Sequence, residues 1–382
     1  MLKSIKLDNY TTFINPTTID FSATNYKFLD ENIGNGKILK GCLFVGENAS
    51  GKSQILKSIQ LLLDLLFENN DINFAINKSF YTEKNNYKLE YDFVISSKEI
   101  KYVVELSPKG FELEELYING DIIIKRMGKK AKLIIGEEKN FDDVSLKLSF
   151  LRRVYFDTHF YDDEVLNKWF DFMKNSVYVD CYNGKIKNYV SDTLLFREYF
   201  DKKSVDEFNK FLKRINYKQS IRFGDRTFKY GNIALNFEGN GKIVSFNKEG
   251  TKAFIPELLE STGNMTLLNL FPPLIRAIKN DCMLILDDFG SGFHNELEEC
   301  FIKYFFHYAK NSQLFFTSHS TNLLNNTILR PDQIYSVYFD GKNGSVIERF
   351  SDEMPRESQN VEKMYLNGVF HGMPRYNKIF KD

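Results

Sequence analysis

A chain of 382 residues, 43% of them hydrophobic, is long enough to bury one large core or two ordinary ones. Lys plus Arg and Asp plus Glu balance at 51 each, which excludes a global field drawing the protein to nucleic acid or lipid; any such surface has to be a local patch. The four cysteines, Cys42, Cys181, Cys282 and Cys300, lack the paired spacing of a zinc site and suit a reducing cytosol.

The opening MLKSIKLDNY carries no apolar leader. The most hydrophobic run, Ile55 to Phe67, is too short for a bilayer and is broken by Lys57, Gln60 and Asp64. A soluble, cytoplasmic protein without membrane attachment is therefore expected. Residues 1–22 read as two strands around a turn, and Lys40 to Val45 as a short apolar strand leading into a glycine-rich turn. From Gly51 the period becomes helical, with Ile55, Ile59, Leu62, Leu63 and Leu66 on one face. Between about Tyr87 and Ile135 alternating runs separated by Ser-Ser, Pro-Lys-Gly and Asn-Gly-Asp turns predict an antiparallel meander beside the nucleotide core. Residues 141–222 read as mostly helical and highly charged; SVDEFNKFLKRI opens with Ser204 as a cap. A small β region follows in TFKYGNIALNFEGNGKIVSFN. Then come a helix from about Asn264, a strand Cys282 to Leu286, a helix Asn295 to Lys310, the strand QLFFTS and a strand Ile334 to Phe339. Four segments result: 1–84 and 231–382 as the two lobes of an α/β head, 85–140 as the meander, and 141–230 as a helical insertion.

Gly46–Glu47–Asn48–Ala49–Ser50–Gly51–Lys52–Ser53 fits G-x-x-x-x-G-K-[ST] between an apolar strand and an amphipathic helix. Glycines let the backbone curl its N–H groups toward phosphates, and the helix N-terminus adds its dipole. Lys52 suits the β- and γ-phosphates of ATP, and the Ser53 hydroxyl suits Mg2+. A plain glycine turn is the bland alternative, and the flanking elements weigh against it. Met283–Leu284–Ile285–Leu286–Asp287–Asp288 is an apolar run ending in two carboxylates, at the strand edge where an α/β sheet opens to ligand. Asp287 is placed to hold Mg2+, and Asp288 to face the attacking water.

Leu259 to Asn264 contains Ser261-Thr-Gly263 before a helix, Phe289 to Glu296 follows the acidic strand, and Phe315 to Ser320 ends an apolar strand at His319. Together these resemble the signature loop, D-loop and switch histidine of ABC-type ATPases. On that likeness Ser261 and Gly263 bind the γ-phosphate held by a partner subunit, and His319 serves hydrolysis with Asp288. By themselves, Ser261 is a common helix cap and His319 a bland histidine. GENASGKSQILKSI, LFFTSHSTNLLNNTILRPDQIYSV and NVEKMYLNGVFHGMPRY resemble the prokaryotic SMC/ABC-type (RecF-like) AAA ATPases of the abortive-infection and phage-resistance family. The likeness is strong at both ends and weak over roughly 85–250. It implies a P-loop NTPase of ABC/SMC head type with an antiparallel β subdomain and a helical insertion. It also implies ATP and Mg2+ as cofactors, and a homodimer or higher even oligomer with ATP sandwiched between heads. The partner implied is an effector protein, nuclease or toxin, from a neighbouring gene.

Departures from that pattern carry expectations of their own. Asp288 stands where relatives usually carry Glu, one methylene longer, which predicts slow turnover. Pro272 and Pro273 should kink the helix behind Ser261 near Leu270. A glutamine loop is not placed before Tyr87. The chain ends too soon after its last strand for the toprim nuclease domain of some related ATPases.

Lys125, Arg126, Lys129, Lys130 and Lys132 cluster on a hairpin, as a solvated tip or as a contact for nucleic-acid phosphates. Lys202, Lys203, Lys210, Lys213, Arg214, Lys218, Arg222, Arg226 and Lys229 lie in the helical block, read first as a lid or partner-binding arm. Three functions follow: an ATPase whose head pairing controls an effector in anti-phage defence, a RecF-like ATPase acting on DNA in repair, or an ATP-bound scaffold that scarcely hydrolyses.

Overall fold

The computed structural model describes residues 1–68, 72–190, 194–230, 233–238, 241–290 and 292–373; the side chains of residues 229–230 and 233–235 also fall outside the description. Ser291 of the presumed D-loop and residues 374–376 of the C-terminal run therefore lie outside the described residues, as does the Lys229 side chain.

Two large sheets organise the chain. The first has seven strands in the order Lys185–Asn188, Val177–Asp180, Met283–Asp287, Gln313–Thr317, Gly41–Val45, Ile334–Asp340, Gly344–Arg349. The five inner strands are parallel, and each edge strand is an antiparallel hairpin partner. Parallel strands buried on both faces read as continuous apolar runs, and GCLFV, MLILD and QLFFT are buried at every position. The two-residue period divides them between two cores. Cys42, Phe44, Met283, Ile285 and Phe315 face one, and Leu43, Val45, Leu284, Leu286, Leu314 and Phe316 face the other.

The second sheet is wholly antiparallel, with eight strands in the order Thr17–Asp20, Leu2–Asp8, Tyr87–Ile95, Lys98–Ser107, Gly110–Ile118, Asp121–Met127, Lys130–Leu133, Lys139–Phe141. The expected meander is there, and it takes in the N-terminal strands as well. Leu2–Asp8 pairs with Tyr87–Ile95, so both belong to one sheet. Helix Lys52–Phe67 is packed among the elements of the first core, which spans this sheet and one face of the first. It buries Leu56, Leu61 and Leu65 as well as the face expected from its period, and Ser58 gives its carbonyl to the Tyr91 hydroxyl at 2.7 Å.

Two local expectations need correction. Residues 141–222 hold helices Phe150–Thr158, Glu164–Lys174, Phe196–Lys202 and Asp206–Arg214, but also the hairpin Val177–Asp180 and Lys185–Asn188, which completes the parallel sheet. Four residues are too few to show a strand period between charged helices. Helix Asp206–Arg214 begins after Val205, and Ser204 accepts from the Asp206 amide as a turn rather than as its cap. Helix Thr262–Lys279 runs through Pro272 and Pro273 without being broken; both prolines are buried in the second core region beside Phe271 and Leu274. Packing there outweighs the two missing amide donors.

The basic hairpin also changes character. Arg126 is fully buried, donating to Glu114 at 3.1 Å and to the carbonyls of Gly128, Ser145 and Leu148. Lys129 pairs with Asp143 and Lys132 with Glu138. Arg126 is thus closed to phosphate, whereas the Lys129 and Lys132 pairs lie at the surface.

Candidate nucleotide site

The phosphate loop leaves strand Gly41–Val45 at its carboxyl end and opens helix Lys52–Phe67. Its end glycines are dictated by space and by backbone. Gly46 has φ +147°, and a Cβ there would lie 2.0 Å from the Val337 carbonyl oxygen. Gly51 has φ +110°, and its Cβ would lie 2.5 Å from Ser345 Oγ. No other residue fits either position. Between them Glu47 is partly buried, Asn48 and Ala49 are exposed, and Ser50 is buried with its carbonyl held by Ser345 Oγ at 2.6 Å. Lys52 Nζ donates to the carbonyls of Gly46 and Glu47 at 2.9 and 2.7 Å, which holds the ammonium over the loop. Burial draws the Lys52 ammonium below the ordinary lysine range, against the pull of Asp288, Asp287 and Glu47.

The acidic strand end lies directly opposite. Ser53 Oγ donates to Asp287 Oδ1 at 2.9 Å, although 234 residues separate them. Thr317 Oγ1, from the strand between them, donates to the same oxygen at 2.8 Å, and the Tyr178 hydroxyl donates to Oδ2 at 3.0 Å. Three hydroxyls thus converge on one carboxylate. Thr317 Oγ1 also accepts the Asp288 amide at 2.8 Å, fixing a residue whose φ of +55° is left-handed. His319 is exposed, with Nε2 3.9 Å from Asp288 Oδ1. Burial, then the Asp287 charge, raise the Asp288 carboxyl above the ordinary range, while His319 and Lys52 oppose them. Burial and Lys52 lower His319, and Asp288 opposes them.

Gly46 to Ser53, Asp287, Asp288 and His319 are therefore brought to one edge of one sheet. Ser261 and Gly263 sit elsewhere in the chain's own structure. Ser261 is exposed and caps helix Thr262–Lys279 by accepting from the Asn264 amide at 3.3 Å. Gly263 packs so closely on the segment after the acidic strand that a Cβ would lie 2.7 Å from the Gly292 carbonyl oxygen.

Tyr178 and Thr317 were not singled out in the sequence. Thr317 directly precedes Ser318-His319 at the end of the apolar strand QLFFTS. Val177–Tyr178–Val179–Asp180 repeats the apolar-run-then-acid pattern of the acidic strand, and Asp180 stands level with Asp287 in the parallel register. That repetition was the available signal.

Comparison with known proteins gives a family. Residues 43–325 match the family described as "AAA domain, putative AbiEii toxin, Type IV TA system". The chain belongs to this AAA family. No curated protein sequence matches it. Among solved structures, the SMC head bound to the C-winged helix domain of ScpA is similar at TM-score 0.53 and 14% identity, over 92% of this chain and 99% of that one. The SMC head domain from Thermotoga maritima gives 0.49 and 17%, over 91% and 98%. The RecF–ATP structure of the RecFOR pathway gives 0.40 and 15%, over 91% and 99%. The fold is that of an ABC/SMC-type ATPase head carrying an antiparallel β subdomain and a helical insertion. Among the described residues no helix is long and apolar enough to cross a membrane.

Proposed function

We propose that the protein is a Mg2+-dependent ATPase of ABC/SMC type whose heads pair head to tail on ATP and so control an effector, a nuclease or toxin, in anti-phage defence. The observation that carries the chemistry is the 2.9 Å contact between Ser53, opening the phosphate-loop helix, and Asp287, ending the acidic strand. A hydroxyl and a carboxylate oxygen at one point form the hard donor set that Mg2+ takes alongside phosphate oxygens and water. The groups present fit the ion: Ser53 and Asp287 would hold it, and Tyr178 and Thr317 would fix the carboxylate. When bound, Mg2+ neutralises charge across the β- and γ-phosphates.

The other roles fall to side chains of this chain. Lys52 exchanges its two carbonyl partners for phosphate oxygens. The loop between Gly46 and Gly51 wraps the triphosphate. Asp288, held by Thr317, orients the attacking water and accepts its proton, with His319 beside it. The shorter side chain of Asp288 supports slow turnover. Ser261 and Gly263, exposed or partly exposed at a helix start, suit the γ-phosphate held by a second copy. Pairing is supported by the ABC/SMC-type fold, and the defence role by the family description, which names a toxin and a toxin–antitoxin system. An SMC head of this fold binding a winged-helix domain supports a protein partner on this one. For the RecF-like DNA reading the hairpin offers less charge than its sequence suggests, because Arg126 is buried and Lys129 and Lys132 pair with Asp143 and Glu138.

The deciding test is nucleotide binding. Lys52→Ala is expected to weaken ATP binding at least ten-fold with the fold intact by circular dichroism. Unchanged ATP affinity in that variant would sink the assignment.

A further inference from the structure

The C-terminal run, absent from the requirements of nucleotide chemistry, touches the site twice. Helix Val361–Leu366 is capped by Asn360, whose Oδ1 accepts from the Lys363 amide at 2.7 Å, and is seated by buried Val361 and Tyr365. Beyond it Phe370 stacks on Phe350 with ring centroids 3.7 Å apart. The Tyr365 hydroxyl then donates to the Gly372 carbonyl at 3.0 Å. Gly372, with φ +88°, lies on the phosphate loop. A Cβ there would be 3.5 Å from Gly46 Cα and 3.2 Å from the Val337 carbonyl oxygen, the same oxygen that allows only glycine at position 46. The helix makes its second contact on the loop carrying His319, where Thr321 Oγ1 donates to Glu362 Oε1 at 2.7 Å. The next residue back, Ser320, donates to Glu298 Oε1 at 2.9 Å, so two carboxylates from two helices hold the chain immediately after His319.

We propose that residues 360–372 form a strap that carries the state of the phosphate loop to the His319 loop, with Glu362 as the positioning residue acting through Thr321. The inference rests on the nucleotide reading of residues 46–53 given above. The strap is short and pinned by aromatic stacking between its two contacts. Movement of Gly46 against Gly372 therefore has no slack to dissipate in, and it displaces the helix that bears Glu362. Glu362 acts through its hydrogen bond from Thr321. Its role is to set where His319 stands once nucleotide is bound.

The experiment compares hydrogen exchange of the full chain with and without Mg-ATP for the wild type, Glu362→Ala, Glu362→Gln and Thr321→Val. All four are expected to show protection across residues 46–53. The wild type and Glu362→Gln, whose amide oxygen can still accept from Thr321, should also protect residues 318–323. Glu362→Ala and Thr321→Val should lose that second protection by about ten-fold in exchange rate, and their kcat should fall about ten-fold with KM little changed. Combining the two substitutions should cost no more than either alone. Protection at 46–53 without any at 318–323 in the wild type overturns the strap, as does a Glu362→Ala protein that keeps both. If the wild type shows no protection at 46–53, the nucleotide reading itself has failed, and the strap falls with it.

Discussion

At the scale of single residues, the site is built on one threonine that the sequence does not advertise. Thr317 donates to Asp287 and accepts from the Asp288 amide, so both acids take their positions from it. Thr317→Val keeps the shape and removes the hydroxyl, leaving a buried amide without its partner. Such a loss costs about 1–3 kcal/mol. The expected result is a fall in kcat of about ten-fold with a modest change in ATP affinity, read from steady-state kinetics and nucleotide titration. Lys52, Ser53, Asp287 and Asp288 were legible because phosphate and Mg2+ chemistry permits few residue types, in a fixed order along the chain. Thr317 and Tyr178 were not, because their meaning comes from strands that become neighbours only after folding. Arg126 misled for a related reason. A run of Lys and Arg reads as surface until its buried carboxylate partner, Glu114, is found on the neighbouring strand.

Between residues and the whole lie elements whose family resemblance proves architectural. In the segment Leu329 to Ile334, Arg330, Asp332 and Gln333 are fully buried. Arg330 donates to the carbonyls of Thr24, Tyr26 and Phe28 and pairs with Asp332 at 2.8 Å, while Gln333 donates to the Gly41 carbonyl. The motif clamps the N-terminal loop and the start of the phosphate-loop strand. Arg330→Ala leaves a buried carboxylate unpaired and should cost about 3–5 kcal/mol in chemical denaturation. Burial alone would raise the Asp332 carboxyl, but its bonds to Arg330 and Thr24 outweigh this and hold it below the ordinary value of 3.8. A folded-state value that is depressed contributes stability above the unfolded value and loses it as pH falls through the folded one. The part of acid loss that belongs to Asp332 therefore lies below about pH 4 in the wild type, and without Arg330 it should begin at higher pH. Urea midpoints across pH 3 to 7 check the order. Long elements with a clear period were legible: helix Lys52–Phe67, the meander and the buried parallel strands. The hairpin Val177–Asp180 and Lys185–Asn188 was not, since each strand has four residues and sits among charged helices.

For the molecule as a whole, the proposed pairing gives the sharpest prediction. Asp288→Asn keeps the side chain's size and removes its capacity to take a proton, so ATP should be retained uncleaved and the paired state should accumulate. Light scattering after size exclusion should show twice the monomer mass with Mg-ATP, and the monomer without it. A monomer under both conditions would remove head pairing from the proposal. That the phosphate-loop strand and the acidic strand, from the two ends of the chain, share one sheet was readable in the sequence, because both carry nucleotide motifs; that the same sheet takes Val177–Asp180 and Lys185–Asn188 from the middle was not. That the N-terminal strands and the meander share one sheet was not, since strand pairing across distant turns leaves no local mark.

The place of Gly41–Val45 between Gln313–Thr317 and Ile334–Asp340 has a bearing on birth as well as on function. Gly41 leaves the ribosome long before its partner Leu314, and at about 5–20 residues per second the wait is on the order of tens of seconds. Through that interval the strand that will present the phosphate loop lacks both of its sheet neighbours. A message cut short yields a polypeptide with the glycine loop but no sheet to aim it. On the proposed nucleotide reading, competence for ATP therefore waits for the C-terminal strands.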